Sequence, residues 1–448
     1  MAVQSTYGVS FARRPPAQGV VVPAHDPGRS VASRGFVAWI VLIGIALPSN
    51  MTFFLAGAKF TPARLVICLL MLPGLAELVR KGRHLAASDL FVCLAMAWMF
   101  LAVSQTDESW SSTAALIFEF GGGYLVARAY FHGRPALGTF VRALKAISIM
   151  VIGLAILEQL LHYHIGAALF GLTISGYEYR YGWLRSFSTF PHPILYGTFC
   201  ASTGTIFLYS ERSFLGRIFY GGLCFFGCLL AMSSAPLMSF VIAVLVGLYD
   251  SILHSWRWRW QALVAGISAL LVAVSFAASR PVSWIIANLT LDPSTGYFRV
   301  ATWDSSFFYI GASPYFGYGF NQYAPVEDFF GNVSVDSTWL VMALRFGLPS
   351  IALLLTANVT SFFSGGSNSV RCSSDPFIRD LRTGFTLTLV VLMFVGLTVH
   401  YWNNVWLFWG VCLGIRVSLQ ELRLNTRSYP MLLGDRPELE SVQGHRAR

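Results

Sequence analysis

About a dozen long apolar runs, separated by short Lys/Arg clusters, decide what this 448-residue chain can fold into. Charged residues make up only 12% of it and hydrophobic ones 55%, so most of the chain must take lipid or other helices as its solvent. In a bilayer each backbone polar group needs a partner within its own segment, which a helix of roughly 20 residues supplies. Runs of that length lie at about 36–56, 61–79, 88–105, 111–130, 143–160, 193–210, 216–232, 235–250, 262–279, 337–360, 384–400 and 402–419. The expected fold class is all-α, a polytopic integral membrane protein of about 12 transmembrane helices.

Placing the N-terminus in the cytoplasm puts every other connection there as well. Those connections and tails hold most of the 31 basic residues, among them Arg13, Arg14, Lys81, Arg83, Arg128, Arg134, Arg212, Arg217, Arg371 and Arg379. The positive-inside bias therefore sets both termini in the cytoplasm. The net charge of +10 follows from that topology and not from a nucleic-acid footprint. The run Trp256-Arg257-Trp258-Arg259-Trp260 reads accordingly as an interfacial anchor. Three zones result: a polar tail (1–35), a membrane domain (36–419) and a second tail (420–448). The first tail is too long and polar for a signal-peptide n-region, so 36–56 is expected as an uncleaved anchor. Both tails have the composition of weakly ordered segments. No cysteine falls in an outer loop, Cys372 being cytoplasmic, so no disulfide framework is expected. Cys224 and Cys228, one helical turn apart, read as packing residues.

Two connections on the far side are long, about 161–192 and 280–336, and long loops in a compact fold tend to carry function. In the first, Tyr177, Tyr179, Tyr181 and Trp183 alternate, with Arg180 and Arg185 among them. Two readings stand for the aromatics: platforms for sugar rings beside phosphate-binding arginine forks, or an interfacial belt. Arg185 and His192 flank a Ser/Thr-rich turn that leads into a span, and there a binding or catalytic role is favoured. His162 and His164, with no carboxylate partner evident, read as polar interface residues and not as metal ligands. In the second loop, Arg299, Trp303 and Ser306 share one face of a short amphipathic helix. Asp336 stands where the next span begins, as an N-cap or as a carboxylate able to take a proton from a sugar hydroxyl; the two roles are compatible.

Ionisable residues inside spans are costly and count as functional candidates by default. Arg345 and Glu119 lie well inside theirs, whereas Arg64 lies near the outer end of its span and could snorkel. A cavity collecting Arg64, Arg185, Arg299 and Arg345 would suit an anion at the membrane surface, such as the diphosphate of a lipid-linked donor.

At these residues the chain resembles the O-antigen ligase/polymerase superfamily, and within it the bacterial exopolysaccharide repeat-unit polymerases. Three patches carry the likeness: Arg-Ser-Phe-Ser-Thr-Phe-Pro-His-Pro (185–193), Thr-Gly-Tyr-Phe-Arg (295–299) with Trp303 and 313–320, and Asp-Ser-Thr-Trp-Leu (336–340) with Arg345-Phe-Gly-Leu-Pro. The resemblance covers roughly 36–419. Family ligases typically carry His-Asn where this chain has Asp336-Ser337, which favours the polymerase branch. The resemblance implies a metal-independent membrane glycosyltransferase of the bacterial inner membrane, without a cofactor. Its substrate would be an undecaprenyl-diphosphate-linked oligosaccharide, and its company the flippase and chain-length or export proteins of a polysaccharide secretion system. Arg185, Arg299, Arg345, Arg64 and Trp303 would bind diphosphate or sugar, and Asp336 and His192 would be catalytic. The alternatives are an O-antigen ligase or, in a different class, a flippase or transporter for the lipid-linked oligosaccharide.

Overall fold

The computed structural model describes residues 27–55, 58–80, 83–106, 110–172, 176, 178–278, 284, 293–320, 335–363 and 375–425. The tails 1–26 and 426–448, with Lys81, Tyr177, Arg371, Cys372 and much of the second long loop, lie outside the described residues. Among the described residues the helices are α1 Pro27–Ala46, α2 Pro62–Arg80, α3 Ala87–Ser104, α4 Trp110–Tyr130, α5 Arg134–Leu161, α6 Ile165–Ala168, α7 Pro193–Ser210, α8 Phe214–Leu230, α9 Ser234–Ile252, α10 Arg259–Ala277, α11 Pro293–Ala312, α12 Thr338–Phe346, α13 Leu348–Phe362, α14 Pro376–Val395 and α15 Asn404–Asn425. Two small antiparallel hairpins complete the set, β1 Phe53–Leu55 with β2 Ala58–Phe60 and β3 Tyr179–Arg180 with β4 Trp183–Leu184.

The chain is thus an all-α membrane protein in class. By length and composition α2, α3, α5, α9 and α10 can cross a membrane, while α8, α13 and Gly35–Ala46 of α1 are shorter apolar helices. Each apolar run in the sequence contains a helix, but several boundaries differ from expectation. The first run stops at Ala46 and not at 56, because Pro48 has no N–H to continue the ladder and disfavours a helical residue before it. The carbonyls of Ile45 and Leu47 there accept from Asn404 Nδ2 at 2.6 and 3.0 Å. The fifth begins at Arg134, with Pro135 in the first turn where its missing N–H costs no bond.

The run 337–360 is two helices, not one span. They break at Gly347, whose φ of +76° is open to glycine; a Cβ there would stand 1.7 Å from the Tyr315 carbonyl oxygen. The Pro/Gly turn after α11 docks on the break: Tyr318 N donates to Leu344 O at 2.6 Å, Gly319 N to Arg345 O at 3.0 Å and Leu348 N to Pro314 O at 2.8 Å. Backbone groups freed by the break are therefore paired with loop backbone, as buried backbone requires.

The core is centred on α15, nearly every side chain of which is buried from Val405 to Leu419. It packs most closely on α4. Gly410 and Gly414 permit that approach, since a Cβ at either would meet the α4 carbonyl oxygens of Phe120 or Tyr124 at 2.2 and 2.5 Å. Around this pair α7 contacts α8, α9 and α14, and α3 lies along α13. At the other extreme, α10 buries none of its residues.

Candidate functional site

The first long loop is shaped by its hairpin. Tyr181 (φ 54°) and Gly182 (φ 79°) form the turn between β3 and β4, the pair of positive φ angles that a tight two-residue connection needs. The hairpin docks on the turn between α8 and α9: Arg180 Nη1 donates to Met232 O at 2.9 Å and Ser186 N to Leu230 O at 3.0 Å. Arg185 is thereby buried against the same turn, and its guanidinium pairs with Glu178. Tyr179, Tyr181 and Trp183 project outward, more than half exposed, and line neither cavity described below.

Residues 186–189 are held by Glu158, fully buried near the end of α5. Its Oε2 accepts from Phe187 N at 3.0 Å and Ser188 N at 2.9 Å, and its Oε1 from Gly166 N at 3.3 Å. His164 stacks on Phe187 at 4.0 Å with Nδ1 3.5 Å from Glu158, so it does have a carboxylate beside it, contrary to the sequence reading. The loop enters α7 through His192, the N-cap residue, whose Nδ1 accepts from Ile194 N at 3.2 Å. An accepting Nδ1 has no proton, so the neutral ring carries its proton on Nε2. Burial pushes the His192 imidazole below its ordinary pKa, Glu178 and Asp336 oppose that shift, and Arg185 reinforces it.

Arg299 arrives from α11, buried, and its Nε has no hydrogen-bond partner. Burial holds its guanidinium below the usual arginine range; Asp336 counters this, and Arg180 and Arg185 add repulsion. Asp336 directly precedes α12. The helix is capped by Ser337 Oγ, which accepts from Leu340 N at 3.3 Å, and not by Asp336. The start of α12 is clamped to the turn between α14 and α15: Thr338 Oγ1 donates to Val399 O at 2.8 Å and accepts from Tyr401 N at 3.0 Å. Trp303 is buried, with Nε1 donating to Leu397 O of that turn at 3.2 Å, and so joins α11 to the same clamp.

Arg185, His192, Arg299 and Asp336, together with Glu178 and Arg180, thus share one electrostatic neighbourhood despite coming from three distant stretches. A cavity of about 180 Å³ lies beside them, lined by Glu178, Arg185 and 187–193. The buried hydroxyls of Ser49, Ser188 and Thr189, also in its wall, have no protein partner. Buried polar groups are normally paired, so orphans in a cavity wall suit a polar ligand.

Arg64 and Arg345 line a different cavity, of about 490 Å³. Arg64 Nε donates to Glu119 Oε1 at 2.8 Å, Nη1 to Lys59 O at 3.2 Å and Nη2 to Asn403 Oδ1 at 3.4 Å. Arg345 lies over the Phe320 ring, 4.4 Å from its centroid. The four arginines expected around one cavity are therefore divided between two regions. Trp402 stands at the boundary: it lines the second cavity, and its ring meets His192 edge-on at 6.1 Å.

Residues 219–355 match the family model described as O-antigen ligase. The matched stretch is less than half of the chain. It runs from α8 into α13, taking in Arg299, Trp303, Asp336 and Arg345 and leaving out Arg64, Arg185 and His192. No curated protein matches the chain. The match supports the O-antigen ligase/polymerase superfamily, a polymerase or ligase role in polysaccharide biosynthesis, and a lipid-linked oligosaccharide substrate in a membrane setting. Two contributors escaped the sequence reading. Glu158 lies inside the run 143–160, so the rule that singled out Glu119 applied to it equally. Trp402 had no signal, because an aromatic at a span end reads as belt.

Proposed function

We propose that this protein polymerises undecaprenyl-diphosphate-linked oligosaccharide repeat units at the periplasmic face of a bacterial inner membrane. The observation that carries the reading is the convergence of Arg185, Arg299, His192 and Asp336 on one buried, cation-rich neighbourhood. An acceptor sugar hydroxyl attacks the anomeric carbon of the lipid-linked donor. The new glycosidic C–O bond forms as the bond from that carbon to the diphosphate oxygen breaks, and undecaprenyl diphosphate leaves with the electron pair. Developing negative charge on the diphosphate is what the protein must stabilise, and preorganised cations in a water-poor site do this well. Arg299, with an unpartnered Nε, and Arg185 supply that charge. The diphosphate is already a good leaving group, so the chemistry calls for neither a metal nor a cofactor.

The hydroxyl proton goes to Asp336, which directly precedes the Ser337 cap of α12. His192 suits the base role less well, since its basic nitrogen is committed to Ile194 N–H; its Nε2–H is a donor for diphosphate or sugar oxygen. Asp336 also stands where the resembled ligases carry histidine, which favours chain polymerisation over ligation. The test is a deletion strain complemented with wild type, Arg299→Ala or Asp336→Ala, with lipid-linked glycans followed by gel and mass spectrometry. Single repeat units accumulating on the outer leaflet, at unchanged protein level, are expected for both variants. Repeat units trapped on the inner leaflet would point to a flippase, and polymer made but never attached would mean a ligase.

A further inference from the structure

The second cavity holds an anomaly that the transferase chemistry leaves unused. Glu119, 1% exposed, has one carboxylate oxygen paired with Arg64; the Asn403 backbone N–H also approaches the carboxylate, yet Oε2 is buried without a hydrogen bond of normal geometry. Leaving a buried carboxylate oxygen unmatched is expensive, and α4 could have carried an apolar residue there. An acceptor-only atom calls for a donor, which a sugar hydroxyl is and a phosphate oxygen is not. Beside the cations Lys59, Arg64 and Arg345, Asn403 and Ser112 add neutral polar side chains to the wall and Trp402 adds aromatic surface. Trp402 also touches His192, so a ring bound here lies one side chain away from the neighbourhood of Arg185, Arg299 and Asp336.

We propose that this cavity is a glycan subsite for the acceptor, binding the sugar that presents the attacking hydroxyl, with Glu119 Oε2 accepting from one of its other hydroxyls. The proposal rests on the transferase reading above and adds a division of labour to it. The lipid-linked donor is held on the His192 side of Trp402 and the acceptor's terminal sugars on the Glu119 side.

The test uses the full-length protein in nanodiscs. The donor is lipid-linked oligosaccharide extracted from a strain lacking this protein. The acceptor is the oligosaccharide freed from that lipid by mild acid and fluorescently tagged at its reducing end. It keeps the accepting hydroxyl but has lost its leaving group, so it can only accept. Two variants are compared with wild type: Glu119→Gln, which keeps the size and the Arg64 contact but exchanges an acceptor for an amide donor, and Ser112→Phe, which narrows the cavity from its wall. Both are expected to raise the acceptor KM at least tenfold while the donor KM stays within twofold. An unchanged acceptor KM in Ser112→Phe, or a rise in donor KM alone, overturns the subsite assignment and leaves the transferase reading standing. No transfer by the wild-type protein overturns the transferase reading, and this one with it.

Discussion

The two ends of the helical bundle each bury a group of charges, and they handle them in opposite ways. At the end away from the long loops, Arg83, Asp89, Arg128 and Glu421 form a closed network. Arg83 meets Glu421 at 2.6 Å, and Arg128 meets both Glu421 and Asp89 at 2.8 and 2.9 Å. The remaining valences go to Tyr124 OH, His84 N and Ala86 N, so two cations face two carboxylates and each carboxylate oxygen is paired. At the loop end Arg180, Arg185 and Arg299 gather against Glu178 and Asp336, with a guanidinium nitrogen and several hydroxyls unmatched. A satisfied network ties α3, α4 and α15 together. An unsatisfied one stores electrostatic potential for something that arrives later. The difference separates buried charge that holds a fold from buried charge that awaits a ligand.

Breaking one member of each group should expose that difference. Arg128→Ala takes from Asp89 its cation and from Glu421 one of its two, a loss of about 3–5 kcal/mol for a broken buried pair. Its expected outcome is a sharp fall in the amount of protein in the membrane and in melting temperature. Arg299→Ala should leave both unchanged while turnover drops by about 10²–10³, the usual consequence of losing one charge-stabilising donor. Equal loss of protein in the two variants would erase the distinction.

A milder probe is acid. Burial alone would raise the Glu421 carboxyl, but the hydrogen bonds and charges of Arg83 and Arg128 outweigh it and hold the group at about 2, against an ordinary 4.5. A carboxyl with a depressed pKa contributes stability that is complete above 4.5 and is lost as pH falls from there toward about 2. Melting temperature in detergent should therefore show no pH dependence from this group between pH 8 and 5 and should decline below 4.5. Glu421→Gln should start lower and show a shallower decline.

Much of this comparison was legible in the sequence, and the missing parts share one cause. The apolar runs predict helices because a bilayer-length segment has few other ways to satisfy its backbone. Arg185, His192, Arg299 and Asp336 could be singled out one at a time, as polar residues at loop–span junctions or on one face of a short helix. What periodicity does not carry is which distant residue each one meets. The Glu178–Arg185 pair, Glu158 under the Ser188 turn and the Trp303 bond to Leu397 are all tertiary choices. So is the division of the arginines between two regions, decided by where α2, α4 and the 396–403 turn converge. The break at Gly347 did have a local signal in Gly347-Leu348-Pro349, submerged in a run apolar enough to read as one span.

His192 sharpens the comparison at its finest scale, because it serves the fold and the ligand with different atoms. Nδ1 caps α7, a structural bond, while Nε2–H belongs to the unsatisfied cluster. Asparagine caps helices at least as well, so His192→Asn should keep the loop and the protein level intact while removing the Nε2 donor. The expected loss in turnover is roughly tenfold, the worth of one hydrogen bond to a charged group. A neutral His192 also predicts that the variant and wild type share the same pH profile between 6 and 8, differing only in height. A loss as deep as that of Asp336→Ala, with a pH step removed by the substitution, would make the imidazole the base, and its bond to Ile194 would then have to open in the reacting enzyme.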